Sequence, residues 1–153
     1  MRSTWIATLA ALGALACGEK KTEEAQTPQP DARPAVAAPA GAVVGVKMTG
    51  NGSTMAAFEP AAITVAPGTT VRFINVSGFP HNVAFWGDSI PAGAATMLNA
   101  AMPNRMDNLS GPFATTLNET YDVTFAADAP QGAYKGYCLP HLALGMRLTI
   151  TVQ

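Results

Sequence analysis

Apolar and polar residues alternate with a period of two through most of the chain beyond Ala42. Ile63 and Val65 flank Thr64, Val71 and Phe73 flank Arg72, and Tyr121, Val123 and Phe125 are separated by Asp122 and Thr124. Met146, Leu148, Ile150 and Val152 alternate in the same way with Arg147, Thr149 and Thr151. A strand turns successive side chains to opposite faces, so each run shows one face to a core and one to water. Turn signals separate the runs: Ala66-Pro67-Gly68, Ser77-Gly78, Pro91-Ala92-Gly93, Asp128-Ala129-Pro130 and Gln131-Gly132. The pattern predicts an all-β sandwich of about seven or eight strands, spanning residues 43–153. One stretch breaks the period. Ala92 to Pro112 is rich in Ala, Met and Asn, and predicts a short helix or an irregular excursion.

The first 42 residues follow other rules. Met1 and Arg2 make a short positive start, and the twelve residues Trp5 to Ala16 are weakly to strongly apolar. A spanning helix needs about 20 apolar residues, so this run suits the apolar region of a secretory signal. Ala14-Leu15-Ala16 reads as a small-x-small cleavage site, which makes residues 1–16 a signal peptide. Cys17 directly after it resembles the bacterial lipobox, in which the sulfur is acylated and becomes the mature N-terminus, although Ala14 stands where that motif favours Leu. The other outcome is a plain secretory signal that leaves a free thiol. An unpaired exposed thiol is a liability in an oxidising compartment, which favours the lipoprotein. Residues 17–42 carry Lys20, Lys21, Glu23 and Glu24, then Pro28, Pro30, Pro34 and Pro39, with no aromatic residue. They cannot bury enough apolar surface to offset their ordering entropy, and predict a semi-stiff tether whose stretch from Gly18 to Gly41 reaches roughly 70 Å in polyproline II. The expected location is outside the cytoplasm, in the periplasm or on the cell surface, held to a membrane by lipid.

Composition removes several function classes. With 48 % apolar and 12 % charged residues, the chain as a whole is not disordered. A net charge of −1 lacks the basic surface that nucleic acid requires. Two cysteines cannot make a disulfide scaffold. Asp88, Asp107 and Asp128 are scattered at turns, and no catalytic constellation stands out, so no enzyme is expected.

The residues that carry chemistry are few. The chain has two histidines, His81 and His141, and the folded domain one cysteine, Cys138. Cys138 and His141 are three apart, and Met146 follows His141 by five. Strand parity in the run His81-Asn82-Val83-Ala84-Phe85 places His81 on the inward face with Val83 and Phe85, and Met146 shares the inward face of Leu148 and Ile150. Each alone reads most simply as core or surface. Together they form a soft, unsymmetrical donor set. Two imidazoles and a thiolate with a weak axial thioether describe a blue-copper electron-transfer site. Structural zinc takes four strong ligands, and a thioether is a poor one.

Gly78-Phe79-Pro80-His81-Asn82-Val83 and Tyr137-Cys138-x-Pro140-His141-x-x-x-Gly145-Met146 closely resemble the plastocyanin-like blue copper proteins of the cupredoxin family. The resemblance covers residues 43–153. It implies a Greek-key β-sandwich holding one copper ion, Cu(I) or Cu(II). It also implies that His81, Cys138 and His141 are the equatorial ligands and Met146 the axial one. Asn82 would then send its backbone N–H to the Cys138 sulfur and brace the ligand loop with its side chain, with Pro80 and Pro140 beside the ligands. Departures limit the rest. The acidic clusters by which the plant proteins dock a cytochrome and a photosystem are reduced to Asp88 in Trp86-Gly87-Asp88-Ser89, and Leu142-Ala143-Leu144-Gly145 is more apolar than the family's usual loop. The copper chemistry is expected to carry over, and the photosynthetic role is not.

Three functions compete. A one-electron carrier, a monomer serving redox proteins such as a membrane cytochrome complex or a terminal oxidase or reductase, needs no open coordination position. A copper chaperone or storage protein tends toward exposed Met- and His-rich ligands, and Met97, Met102 and Met106 invite that reading, but no His accompanies them. A copper oxidase needs a second His-rich site, which two histidines cannot build.

Overall fold

The computed structural model describes residues 37–153. The proposed signal peptide, Cys17 and nearly all of the tether lie outside the described residues. Eight strands form two four-stranded sheets. The strands are β1 (Val43–Gly50), β2 (Ala56–Glu59), β3 (Ala62–Val65), β4 (Thr70–Asn75), β5 (Ala84–Phe85), β6 (Thr120–Thr124), β7 (Gly132–Tyr137) and β8 (Arg147–Val152). One sheet runs β2-β1-β4-β6 and the other β3-β8-β7-β5. β1 lies parallel to β4 and β3 parallel to β8, while the remaining pairs are antiparallel.

The period of two sets which residues meet between the sheets. Val46 and Met48 of β1, Val71 and Phe73 of β4, Val123 of β6, and Leu148, Ile150 and Val152 of β8 are all buried. Phe58 meets Phe73 edge to face at 5.9 Å, and Phe125 meets Tyr134 at 5.0 Å, geometries that aromatic quadrupoles prefer. Many outward positions are polar. Arg72 and Asp122, register partners across β4 and β6, form a two-pronged ion pair on the exposed face.

The irregular stretch contains one helix, α1 (Ala94–Ala101). Ala94 and Leu98, four apart, bury one side of it. Met102 is buried just past its end, Met97 is half-buried and Met106 is exposed, so the three methionines do not share one surface.

The run from His81 to Phe85 corrects the expected alternation. Only Ala84 and Phe85 are strand, and all five residues are buried, Asn82 and Ala84 included. A second segment pairs with this run along its backbone edge. Leu109 accepts the Phe85 N–H, Gly111 donates to Val83, and His81 and Ala114 exchange two backbone bonds at 3.0 and 2.8 Å.

Candidate metal centre

Two loops at one end of the sandwich supply the site. The first leaves β4 at Asn75 and reaches His81 in six residues. Asn75 is fully buried and organises the turn: its Oδ1 accepts the N–H groups of Ser77 and Gly78, and its Nδ2 donates to the carbonyls of Phe79 and Ala114. Gly78 adopts φ 75°, a conformation that side chains disfavour. The two bonds to Ala114 then hold the His81 backbone.

The second loop runs from Cys138, next to the end of β7, to Met146, next to the start of β8. Leu142–Leu144 form one turn of 3-10 helix, and Gly145 ends it at φ 83°. Backbone bonds close the loop on itself: Cys138 N–H to Met146 O, His141 N–H to Cys138 O, and Met146 N–H to His141 O, at 3.1 to 3.2 Å. These bonds hold the loop's shape without using its Cys, His or Met side chains.

Cys138 Sγ stands 3.7 Å from His81 Nδ1 and 3.4 Å from His141 Nδ1. The nearest ligand atoms of the three residues all lie within 4.8 Å of one another, and the two rings tilt together at 4.6 Å between centroids. Three donors at about 2.1 Å from a trigonal ion stand about 3.6 Å apart, so the sulfur–nitrogen spacings fit one small ion. All three residues are buried, and Met146 is fully buried beside them in sequence and loop.

Asn82 links the two loops. Its Oδ1 accepts the Leu139 N–H at 2.8 Å, and its Nδ2 donates to Ser110 Oγ and Gly111 O. The side-chain brace expected of Asn82 is present as its bond to the Leu139 N–H. Pro80 and Pro140 are exposed, one on each loop beside a histidine. Sequence reasoning missed Asn75, Ser77, Ser110 and Ala114. Asn75 and Ser77 carry a local signal, since Asn two and three residues before Ser-Gly favours a side-chain-capped turn. Ser110 and Ala114 carry none.

Electrostatics keep the metal-free cluster neutral. Burial pushes the Cys138 thiol up, against an opposing pull from the backbone N–H groups of Asn82 and His141. Burial, and then the neighbouring His141, lower His81 to about 4, and burial also lowers His141. A divalent ion reverses this balance, because it favours thiolate, and its binding expels the thiol proton.

The metal-free protein is accordingly expected to weaken in acid. His81 titrates at about 4 when folded, against 6.5 for a free side chain, so between these values the unfolded chain holds more protons. Stability from this group is complete above pH 6.5 and is lost as pH falls toward 4. The loss is on the order of 3 kcal/mol at most. Urea unfolding of the metal-free chain at about pH 7 and about pH 5 reads it. Equal stability at the two values would contradict the shift.

Comparison with known proteins agrees with this geometry. The family model described as copper binding proteins, plastocyanin/azurin family, matches residues 44–153. A chloroplastic plastocyanin of Physcomitrium patens is 41 % identical over 108 residues, which cover 71 % of this chain and 56 % of that protein. A plastocyanin of Nostoc punctiforme is 38 % identical over 104 residues, 68 % of this chain and 70 % of that one. Among solved structures, the oxidised plastocyanin of Dryopteris crassirhizoma superposes with a TM-score of 0.52 at 31 % identity, covering 72 % of this chain and 100 % of that one. A soft donor set at trigonal spacing, on a two-sheet sandwich with these relatives, has one interpretation: the chain belongs to the plastocyanin/azurin family of copper-binding proteins, and its cofactor is a single copper ion.

Proposed function

We propose that this protein is a membrane-tethered one-electron carrier working outside the cytoplasm, with His81, Cys138 and His141 as equatorial copper ligands and Met146 as the axial one. The observation that carries it is the close approach of Cys138 Sγ to both Nδ1 atoms inside a loop already closed by its own backbone bonds. Bound copper supplies the Cu(I)/Cu(II) couple. The chain's part is to hold four donors still, so that few atoms move when the charge changes, and to exclude water from the sulfur. Four protein donors leave no place for a substrate. A donating chaperone is disfavoured by the same closure, and by Met102, which is packed inside while Met106 lies outside.

Electrons pass through His141. His81 is 0 % exposed and His141 8 %. Around His141 in sequence and loop stand Leu139 and Leu144, 50 % and 38 % exposed, while Leu142 is half-buried. An exposed apolar rim of this kind marks an interaction site for a redox partner. The tether is read as anchored through acylated Cys17, which would concentrate the carrier near membrane partners. The mass of the mature N-terminus tests that anchor.

The function itself is tested by voltammetry of the copper-loaded protein. A reversible one-electron wave with one copper per chain is expected. Rapid loss of copper to a weak chelator, without such a wave, would favour the chaperone.

A further inference from the structure

We propose that Ser77 is a positioning residue for His81: held by Asn75, its hydroxyl decides which ring nitrogen of His81 carries the proton, and leaves Nδ1 bare for the metal. The inference rests on the reading that His81 is a ligand through Nδ1.

Counting protons carries it. The Asn75 side chain has one orientation, because its Nδ2 faces the carbonyls of Phe79 at 2.8 Å and Ala114 at 3.0 Å, and a carbonyl only accepts. Its Oδ1 therefore faces the Ser77 hydroxyl, 3.1 Å away. The same hydroxyl lies 2.8 Å from His81 Nε2. A hydroxyl has one proton for these two neighbours. If that proton went to Nε2, the Ser77 and Asn75 oxygens would face each other at 3.1 Å with nothing between them. If it goes to Asn75 Oδ1, the Ser77 oxygen accepts from Nε2–H, and both close approaches contain a proton. Asn75 Oδ1 also accepts the N–H groups of Ser77 and Gly78 at 3.2 and 3.0 Å, and the second arrangement alone places a proton in both close approaches of the hydroxyl. It places the ring proton on Nε2 and turns the Nδ1 lone pair toward Cys138 Sγ, 3.7 Å away.

The Phe79 N–H also donates to Ser77 Oγ, at 3.3 Å, which engages both lone pairs of that oxygen. The arrangement has a consequence for the bound metal. A ring that donates Nε2–H to an acceptor is a more electron-rich ligand at Nδ1, and this favours Cu(II). The side chain acts through the ring and touches no metal itself.

Nitrogen-15 magnetic resonance of the full chain without metal, near neutral pH, reads the tautomer directly and needs no copper. The wild-type chain is expected to show His81 with Nε2 protonated. Ser77→Ala is expected to bring in the Nδ1-protonated form, to weaken copper binding roughly ten- to a hundredfold, and to raise the reduction potential. Ser77→Thr, which keeps the hydroxyl, is expected to restore all three. A wild-type His81 protonated on Nδ1 would overturn the inference, as would a Ser77→Ala chain with the wild-type tautomer. A shifted tautomer with unchanged affinity and potential would overturn the positioning role. Failure of the wild-type chain to bind copper would count against the ligand assignment instead, and the tautomer result would stand apart from it.

Discussion

Cys138→Ser is expected to abolish the intense blue colour of the copper-loaded protein while leaving the sandwich folded. The colour of such a site comes from charge moving from thiolate sulfur to Cu(II), and a hydroxyl offers no comparable donor. The geometry makes the substitution selective. Cys138 Sγ is the atom that approaches both histidines, at 3.7 and 3.4 Å, so no other sulfur can take its place in that plane. Serine is close to cysteine in size, and the loop is closed by backbone bonds that the side chain does not make. Visible absorption and metal content of wild type and variant, with circular dichroism to verify the fold, test this. Strong blue absorption from a folded Cys138→Ser protein would remove Cys138 from the site.

Leu144→Glu is expected to slow electron self-exchange between oxidised and reduced copies by about tenfold or more, which corresponds to about 1.4 kcal/mol in the docking step. Self-exchange requires two copies to bring their metal sites together, and His141 is the ligand nearest to solvent. Burying the apolar rim of Leu139 and Leu144 supplies the attraction, and a carboxylate placed there must be desolvated on contact. The wild-type rate is expected to depend little on salt. Residues 43–153 carry five basic and six acidic side chains, a net charge of −1 that gives weak long-range fields. Magnetic resonance line broadening in mixtures of the two oxidation states measures the rate across a salt series. A steep salt dependence in wild type, with Leu144→Glu indifferent, would place the contact face elsewhere.

Much of this centre is local in the chain, which is why the sequence reveals it. Cys138, His141 and Met146 sit within one loop of nine residues, and their spacing is visible without any tertiary contact. β4, β6 and β8 are visible for a similar reason, since alternating burial leaves alternating polarity. β7 is harder to see. Its inward positions are Tyr134 and Gly136, and a Cβ on Gly136 would meet Leu148 at 2.7 Å and the Ala84 carbonyl at 2.9 Å. Close packing thus replaced the apolar residue that alternation looks for.

The sequence alone determined the chemistry: which soft donors exist, that three of them share a loop, and that they suit copper better than zinc. It also determined the class of fold, because a period of two in burial has few other solutions. Tertiary structure decided the rest. His81 meets Cys138 from 57 residues away, and only the packing of the two sheets specifies that approach. The segment from Leu109 to Ala114 pairs with the His81 run, and every residue of that run is buried, so parity could not place Asn82 inside. Ala114 and Ser110, which steady His81 and Asn82, are ordinary residues whose roles exist only in contact. The physical reason is the same in each case: periodicity records which way a side chain faces, whereas a hydrogen bond between distant segments leaves no trace in either segment by itself.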